Sequence, residues 1–320
     1  MANYKDIIGR PEVADALIPE DVTAEIIKEA PKDSVVLTNA RKVALSTAKA
    51  KQPVLDTLPE AYWVDGDTGM KQTTKATWKN QMIVAEELAV IVPIPDALAD
   101  DTRINLWEEV KPLVAEAIAH KIDSAAIFGT DKPDSWPAAI VPAAIKAGNT
   151  LAQGTNQDMG ADVAALAGMV SSQGYPVNGF LSAPGLNWEL VGMRTEQGQP
   201  IYSPSMTVGQ PSALYGLALN EVFTGGWESD KAKLVALDWT KQVVGIRQDI
   251  TYDIFREGVI TDATGKVILN LMQQDTKALR VVMRVGWTTA TPTTRVSKGK
   301  GYPAGVLTPP AVSYTHLTLP

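Results

Sequence analysis

The spacing of apolar residues predicts one long helix in the first half of the chain. Apolar side chains recur every three or four positions from Trp107 to Ala126, which is the period of one helix face. Two glutamates directly follow Trp107, in the first turn, where the helix dipole favours negative charge. Gly129 suits the position just after a helix end. Pro112 fits near the start of the regular part or at a kink, so we expect the regular part to begin close to it.

The same spacing predicts two further helices. The segment ADVAALAGMVSSQGY places Val163, Leu166 and Val170 on one side. Near the N-terminus, IPEDVTAEIIKEA places Val22 and Ile26 on one face. This N-terminal segment is either a short surface helix or an arm that lies across a neighbouring subunit, and its composition does not separate the two.

Residues 53–94 have the pattern of a long β-hairpin with a polar tip. Two extended segments, QPVLDTLPEAYWV and TWKNQMIVAEELAVIVPI, flank DGDTGMKQTTKA, which is rich in Gly, Asp and Thr. An isolated two-stranded hairpin is at best marginally stable in water. We therefore expect a partner subunit to cover it. Trp63 and Trp78 lie on this hairpin, which has no core of its own, so both are expected to pack between subunits.

The second half of the chain is predicted to be mostly short strands and turns. LVALDWTKQVVGIRQDITYDIF indicates two strands joined at Gly245, and KALRVVMRVGWTTATP indicates another. Strands are grouped instead of alternating regularly with helices, so the predicted fold class is α+β. The final residues, 301–320, show neither the helical nor the strand period and are predicted to be irregular. Their last part, VSYTHLTLP, resembles translated sequencing adapter, and we assign no function to His316.

Composition excludes several kinds of chemistry. The 320 residues contain no cysteine, so neither disulfides nor thiolate chemistry are available. Only two histidines are present, which excludes a zinc site built from several of them. The net charge is −7 with both signs dispersed, unlike a dedicated nucleic-acid-binding protein. No apolar run approaches the roughly 20 residues of a membrane-spanning helix, and the N-terminus does not resemble a secretory signal.

The search for a catalytic or ligand motif gives no catalytic residue, cofactor site or metal site. GKGYPAG and TDATGKV have the wrong spacing for phosphate-binding loops. Asp65 and Asp67 begin like a calcium loop that lacks its closing glutamate. Ser182 lacks the flanking glycines of a nucleophile elbow. His120 is expected to be a solvated or partner-facing helix residue.

Read in order, the segments resemble the HK97-fold major capsid protein family of tailed bacteriophages over about residues 18–300. The segments that carry the resemblance are LIPEDVTAEIIKEAPKDSVV, AYWVDGDTGMKQTTKATWKNQMIVAEELAVIVPIPDALADD, INLWEEVKPLVAEAIAHKIDSAAIFG, GFLSAPGLNWELVGMRTEQGQPIYSP with ALYGLALNEV, LVALDWTKQVVGIRQDITYDIF and ALRVVMRVGWTTATP. Asp65 stands where the family more often has Glu. No single motif is specific, and the ordered set carries the likeness.

The resemblance implies a domain order. In chain order it comprises an N-terminal arm and lead-in (1–52), an extended hairpin loop, or E-loop (53–94), a peripheral domain with the spine helix (95–145), an axial domain (146–252), a return to the peripheral domain (253–300) and an irregular tail (301–320). It also implies candidate intersubunit contacts on the hairpin. These are Trp63, Asp65, Lys71, Lys75, Trp78 and Lys79.

The resemblance further implies function and partners. The chain is expected to be a non-enzymatic virion protein that assembles in the host cytoplasm into hexamers and pentamers of an icosahedral capsid. This capsid would enclose double-stranded DNA without sequence-specific binding. A separate scaffolding protein, or none, is expected, together with a portal and candidate decoration proteins. Some relatives join a loop lysine to a neighbour's asparagine, but no partner asparagine is found by motif, so a noncovalent shell is expected. The alternatives are an encapsulin-like nanocompartment shell protein and, remotely, an enzyme.

Overall fold

A computed structural model describes residues 33–64, 69–102, 105–156, 158–193, 202, 213–297, 299 and 301–310. The helix predicted in IPEDVTAEIIKEA and the terminal VSYTHLTLP lie outside these residues. The helices are α1 (Val35–Asn39), α2 (Asp96–Asp101), α3 (Leu106–Ile127), α4 (Ile140–Lys146), α5 (Met159–Ser171) and α6 (Leu186–Gly192). The strands are β1 (Arg41–Ala44), β2 (Lys49–Thr57), β3 (Thr77–Val84), β4 (Glu86–Pro95), β5 (Thr150–Ala152), β6 (Gly179–Ser182), β7 (Ala213–Leu214), β8 (Leu217–Glu221), β9 (Leu234–Leu237), β10 (Gln242–Phe255), β11 (Val259–Thr261), β12 (Val267–Asn270), β13 (Thr276–Thr289) and β14 (Ala304–Thr308).

The long predicted helix is α3, and its buried face covers a four-stranded sheet. The strand order is β1-β10-β13-β4, with β1 parallel to β10 and the other pairs antiparallel. Ile118 and Ile122 of α3 belong to one buried cluster with Met283 of β13. Gly129 follows the helix with φ of 81°, as expected for the residue after a helix end. The regular part begins at Leu106, so Pro112 lies inside the helix and not at its start.

A six-stranded sheet forms the second layer, in the order β5-β14-β9-β6-β8-β7. The predicted second helix, α5, packs its buried Val163 and Leu166 against this sheet, in a cluster that includes Leu307. Asp158 caps the helix, since its side chain accepts from the amide of Ala161 at 2.7 Å. The described fold is therefore mixed, with helices packed on grouped strands.

Strand β14 corrects the prediction that residues 301–320 are irregular. Ala304–Thr308 pairs with β9 on one side and with β5 on the other. Its first four residues are buried, and Val306 has no exposed surface. The strand was missed because four apolar or glycine residues between Pro303 and Pro309 are too few to show a period.

The predicted hairpin is shorter than residues 53–94. Strand β2 pairs with β3 from Lys49↔Val84 to Thr57↔Thr77. Residues 86–95 instead form β4, which pairs along its length with β13. The boundary at Ala85 was not visible in sequence, because the apolar run continues unbroken from one strand into the next.

The predicted turn at Gly245 is also wrong. The two strands of that segment are β9 and β10, and a short 3-10 helix, Trp239–Lys241, separates them. Gly245 lies inside β10, where a Cβ would meet Leu45 at 2.7 Å and Ile83 at 2.8 Å. This glycine serves close packing, which is the other common reason for a glycine inside a strand.

Candidate assembly surfaces

The base of the β2–β3 hairpin packs on the chain's own body. Ile83 is buried in a small cluster with Leu45 and Val243. Gln81 donates through Nε2 to the carbonyl of Thr289 at 2.6 Å. The amide of Thr293 donates to the carbonyl of Leu55 at 2.9 Å. The hairpin is thus fixed along its paired strands, from Ile83 near the base to Leu55 near the outer end, by side-chain burial and hydrogen bonds.

The outer part of the hairpin is exposed, as expected for a polar tip, but it also carries several large apolar side chains. We call residues 58–64 and 69–76, which follow the last strand pair, the hairpin tip. Trp63 is 103% exposed and Met70 is 91% exposed, values that place both side chains fully in solvent. Only a few polar contacts hold the tip, such as the Glu60 amide donating to Thr74 Oγ1 at 2.9 Å. Large apolar side chains left in solvent mark a surface that binds another molecule.

The candidate contact residues from the sequence lie on or beside this tip, except one that falls outside the described residues. Trp78 is on β3 opposite Leu55, and its side chain is 66% exposed although this part of the hairpin is bonded to the body. Lys71 and Lys75 are exposed on the tip. Lys79 lies 3.9 Å from Asp56, an exposed ion pair worth little in stability. Asp65 lies outside the described residues.

Sequence reasoning missed two other exposed apolar surfaces. Trp188 on α6 is 74% exposed. The β11–β12 ribbon lies in the chain between β10 and β13. It exposes Val259, Val267 and the nearby Met272. Both surfaces lie on short elements, where a period cannot distinguish an exposed apolar residue from a buried one.

The residues considered for chemistry do not converge on one site. Ser182 is fully buried in β6. The adjacent acidic residues Glu86 and Glu87 also have different partners, since Glu86 accepts from Ser135 Oγ at 2.6 Å and Glu87 pairs with Arg284. His120 is part-buried and its Nδ1 lies 2.9 Å from the carbonyl of Thr224 in the same chain, so it is not freely solvated, and its contact with a partner stays a prediction. Within the described ranges, no group of three or more acidic or imidazole side chains could hold a metal ion.

Burial raises the pKa of two side chains in the interior, Asp123 and Tyr302. Burial is the largest influence on Asp123 and raises its pKa, against hydrogen bonds from Ser34, Val36, Thr224 and Val35. Burial also raises the pKa of Tyr302 to about 12, although its hydroxyl lies 3.2 Å from Thr289 Oγ1. Both groups stay inside the protein and away from the exposed tip, so neither marks a surface site.

Comparison with known proteins decides between the remaining interpretations. Residues 14–292 match the Phage capsid family. This chain belongs to the phage capsid family. It is a major capsid protein, a structural subunit of a phage capsid and so of the virion.

Individual members of the phage capsid family support the assignment. The major capsid protein of Staphylococcus phage 80alpha is 26% identical over 285 residues, covering 88% of this chain and 84% of that protein. A solved structure from Microbacterium phage Oxtober96 has 34% identity and a TM-score of 0.81, covering 95% of this chain and all of that one. A structure from Mycobacterium phage Cain has 32% identity and a TM-score of 0.81, covering 96% of this chain and 100% of that one.

These matches fit the HK97-like capsid fold and do not favour the encapsulin-like alternative. Capsid proteins of this family build multimeric shells, so the exposed hairpin tip is a candidate for contact with further copies. Every helix in the described part of the chain is too short or too polar to span a bilayer.

Proposed function

We propose that this subunit assembles into hexamers and pentamers of an icosahedral shell that encloses double-stranded DNA, with the hairpin tip lying on an adjacent subunit. The observation that carries the proposal is the exposure of Trp63 and Trp78 on a hairpin whose base is fixed and whose outer part contacts little of its own chain. Burying one such side chain against a partner contributes on the order of 2 kcal/mol or more. A shell repeats this contact around every ring of subunits.

The proposed domains follow the two large sheets. The sheet β1-β10-β13-β4 with the spine helix α3 would be the peripheral domain, and the sheet β5-β14-β9-β6-β8-β7 would be the axial domain around the capsomer axis. On this division β10 belongs to the peripheral domain and β14 to the axial domain. The N-terminal arm, of which residues before Asp33 lie outside the described part, would contact a neighbour.

The shell would need no enzymatic activity and no cofactor. A net charge of −7 is compatible with a wall that encloses DNA without binding its sequence. A separate scaffolding protein, a portal and decoration proteins are proposed partners on the family resemblance, with assembly in the host cytoplasm. We also propose that the subunits are held noncovalently.

Replacing the hairpin tip tests the function directly. Thr57 and Thr77 are the last paired residues, and their hydroxyls lie 2.7 Å apart. Joining them by an Asn-Gly turn keeps the strand pairing and removes the tip, because a two-residue turn of this type matches the twist of a hairpin.

Electron microscopy of the expressed full chain, alone and with its genomic neighbours, is expected to show closed shells. The shortened chain is expected to stay folded and form none. Normal shells from the shortened chain would refute the role of the tip, and absence of particles from the full chain in both settings would refute the assembly proposal.

A further inference from the structure

One turn of the spine helix holds two other parts of the subunit at a single buried carboxylate. Asp123 of α3 is 0% exposed. Its Oδ1 accepts from Ser34 Oγ at 2.6 Å and from the Val36 amide at 3.1 Å. Its Oδ2 accepts from the Val35 amide at 3.2 Å and from Thr224 Oγ1 at 3.0 Å. All four donors are uncharged.

The first part held here is the start of the described chain. Ser34 precedes α1, and its hydroxyl also accepts from the Leu37 amide at 3.0 Å as an N-cap. Helix α1 has only five residues, too few to be stable without outside contacts. Asp123 therefore supplies the contacts that fix the direction of α1 and of the chain where it reaches Ser34.

The second part is the loop after β8, residues 222–227. His120 Nδ1 lies 2.9 Å from the carbonyl oxygen of Thr224, which can only accept, so Nδ1 carries the proton. A Cβ at Gly226 would lie 3.1 Å from both the carbonyl of His120 and the amide of Ser124. The loop thus lies directly on the helix backbone beside Asp123, and it connects that turn to the six-stranded sheet.

We propose that Asp123 is a positioning residue for capsid assembly, which fixes the exit direction of the N-terminal segment relative to the spine helix and the 222–227 loop. The inference rests on the proposed function, in which that segment contacts a neighbour. A change of backbone direction at Ser34 changes the direction in which the chain leaves the described part of the subunit. The carboxylate thereby controls where the neighbour is engaged.

The alternative is that Asp123 only stabilises the subunit, and Asp162 provides the matched control. Asp162 is also fully buried and accepts from the amides of Gly154 at 2.7 Å and Asn156 at 2.8 Å. Its partners lie within the axial-sheet part of the chain, and none belongs to the N-terminal segment. Loss of this carboxylate tests general destabilisation without a change at Ser34.

The experiment compares Asp123→Asn, Asp162→Asn and the pair Thr224→Ala and Thr224→Ser. In Asp123→Asn, an amide NH₂ replaces one acceptor and leaves a backbone amide of α1 unpaired. Hydrogen exchange in the peptide covering residues 33–39 of assembly-competent subunits is expected to quicken about tenfold, the factor that one such hydrogen bond is worth. The yield of wild-type-sized shells in electron micrographs is expected to fall by about the same factor.

The other variants decide between the readings. Asp162→Asn is expected to lower the unfolding midpoint and leave shell size unchanged. Thr224→Ala is expected to reproduce the Asp123→Asn defect more weakly, and Thr224→Ser to restore shells by keeping the hydroxyl. If Asp123→Asn does not fold, the Thr224 pair carries the test. The inference would be overturned if Asp123→Asn formed wild-type shells, or, where that variant does not fold, if Thr224→Ala did. It would also be overturned if Asp162→Asn lost shells to the same extent as Asp123→Asn. Absence of shells from the wild type would overturn the proposed function instead.

Discussion

Gly245 and Gly286 stand directly opposite each other on β10 and β13, and the side chain of Ile83 from the hairpin lies over both. A Cβ at Gly286 would lie 2.6 Å from the carbonyl oxygen of Val84 and 2.9 Å from Ile83 Cγ2. The same Val84 oxygen accepts from the indole nitrogen of Trp136 at 3.2 Å. The paired glycines therefore create the space in which the base of the hairpin crosses the sheet.

Alanine at Gly286 is expected to destabilise the subunit by about 1–3 kcal/mol, the cost of overpacking a core. The added methyl group would displace the Val84 backbone and weaken its hydrogen bond from Trp136. Gly245→Ala is expected to cost less, because it meets the side chains of Leu45 and Ile83 and not backbone. Gly168→Ala, in α5 with open space around it, is the control and is expected to be neutral or stabilising. Denaturant unfolding of the unassembled subunit measures each value, and an unchanged midpoint in Gly286→Ala would contradict the close packing.

Trp78→Ala is expected to impair assembly without affecting the isolated subunit. Because the side chain is 66% exposed, its loss should change the free energy of unfolding by less than about 0.5 kcal/mol. The threshold concentration for shell formation should rise at least about tenfold, since tryptophan anchors of interfaces contribute about 2 kcal/mol or more. Light scattering against concentration measures the threshold.

Trp188→Ala serves as the comparison for Trp78→Ala. It removes an equally exposed tryptophan that lies on α6 and outside the hairpin. The threshold concentration for shell formation should rise more in Trp78→Ala than in Trp188→Ala. A Trp78→Ala subunit that assembles at the wild-type concentration would show that the hairpin is not part of the contact.

Purified shells boiled in SDS are expected to give a single monomer band. Lys71 and Lys75 are exposed on the hairpin tip, and Lys79 lies near Asp56, but none is placed against an asparagine by any recognisable motif. Gel electrophoresis of mature particles is the measurement. A ladder of multimers that disappears when the three lysines are changed to arginine would show a covalent shell and identify its donor.

Acid is expected to weaken the part of the subunit that contains the six-stranded sheet, through Asp162. Burial alone raises the pKa of Asp162, but the hydrogen bonds from Gly154 and Asn156 outweigh it, so the pKa lies below its ordinary value of 3.8. The folded state therefore holds this proton less tightly than the unfolded state. Its contribution to stability is complete above pH 3.8 and is lost as the pH falls through the folded pKa.

The variant Asp162→Asn should lack the acid dependence of unfolding that Asp162 contributes to the wild type. At neutral pH the variant should be less stable by about 1–3 kcal/mol, because its amide cannot accept from both backbone amides. Its free energy of unfolding should then fall less steeply than that of the wild type as the pH is lowered below 3.8. Parallel curves for the two proteins in denaturant titrations would contradict the lowered pKa.

The sequence predicted the parts of the fold that depend on local periodicity. The helix from Leu106 to Ile127 was visible because its apolar positions recur over six turns, and Gly129 marked its end. Trp63 and Trp78 are both exposed in the subunit, and their packing between subunits stays a prediction.

The parts that depend on contacts distant in sequence could not be predicted. Whether Gly245 is a turn or a close-packing position depends on Ile83, which lies far away in the chain. The role of Asp123 depends on Ser34 and Thr224, respectively 89 and 101 residues away. A lone aspartate in a helix gives no local sign that it is buried, so the role of Asp123 could not be recognised from the sequence.

Strand β14 sits in the interior of the six-stranded sheet, between β5 and β9, although it is the last strand along the described chain. Translation delivers β5 and β9 long before their shared neighbour. Until residue 308 has left the ribosome, these two strands lack the partner that joins them, and the six-stranded sheet of a nascent chain is incomplete. A chain that stops before β14 therefore leaves one edge of β9 unpaired and β5 without its strand partner.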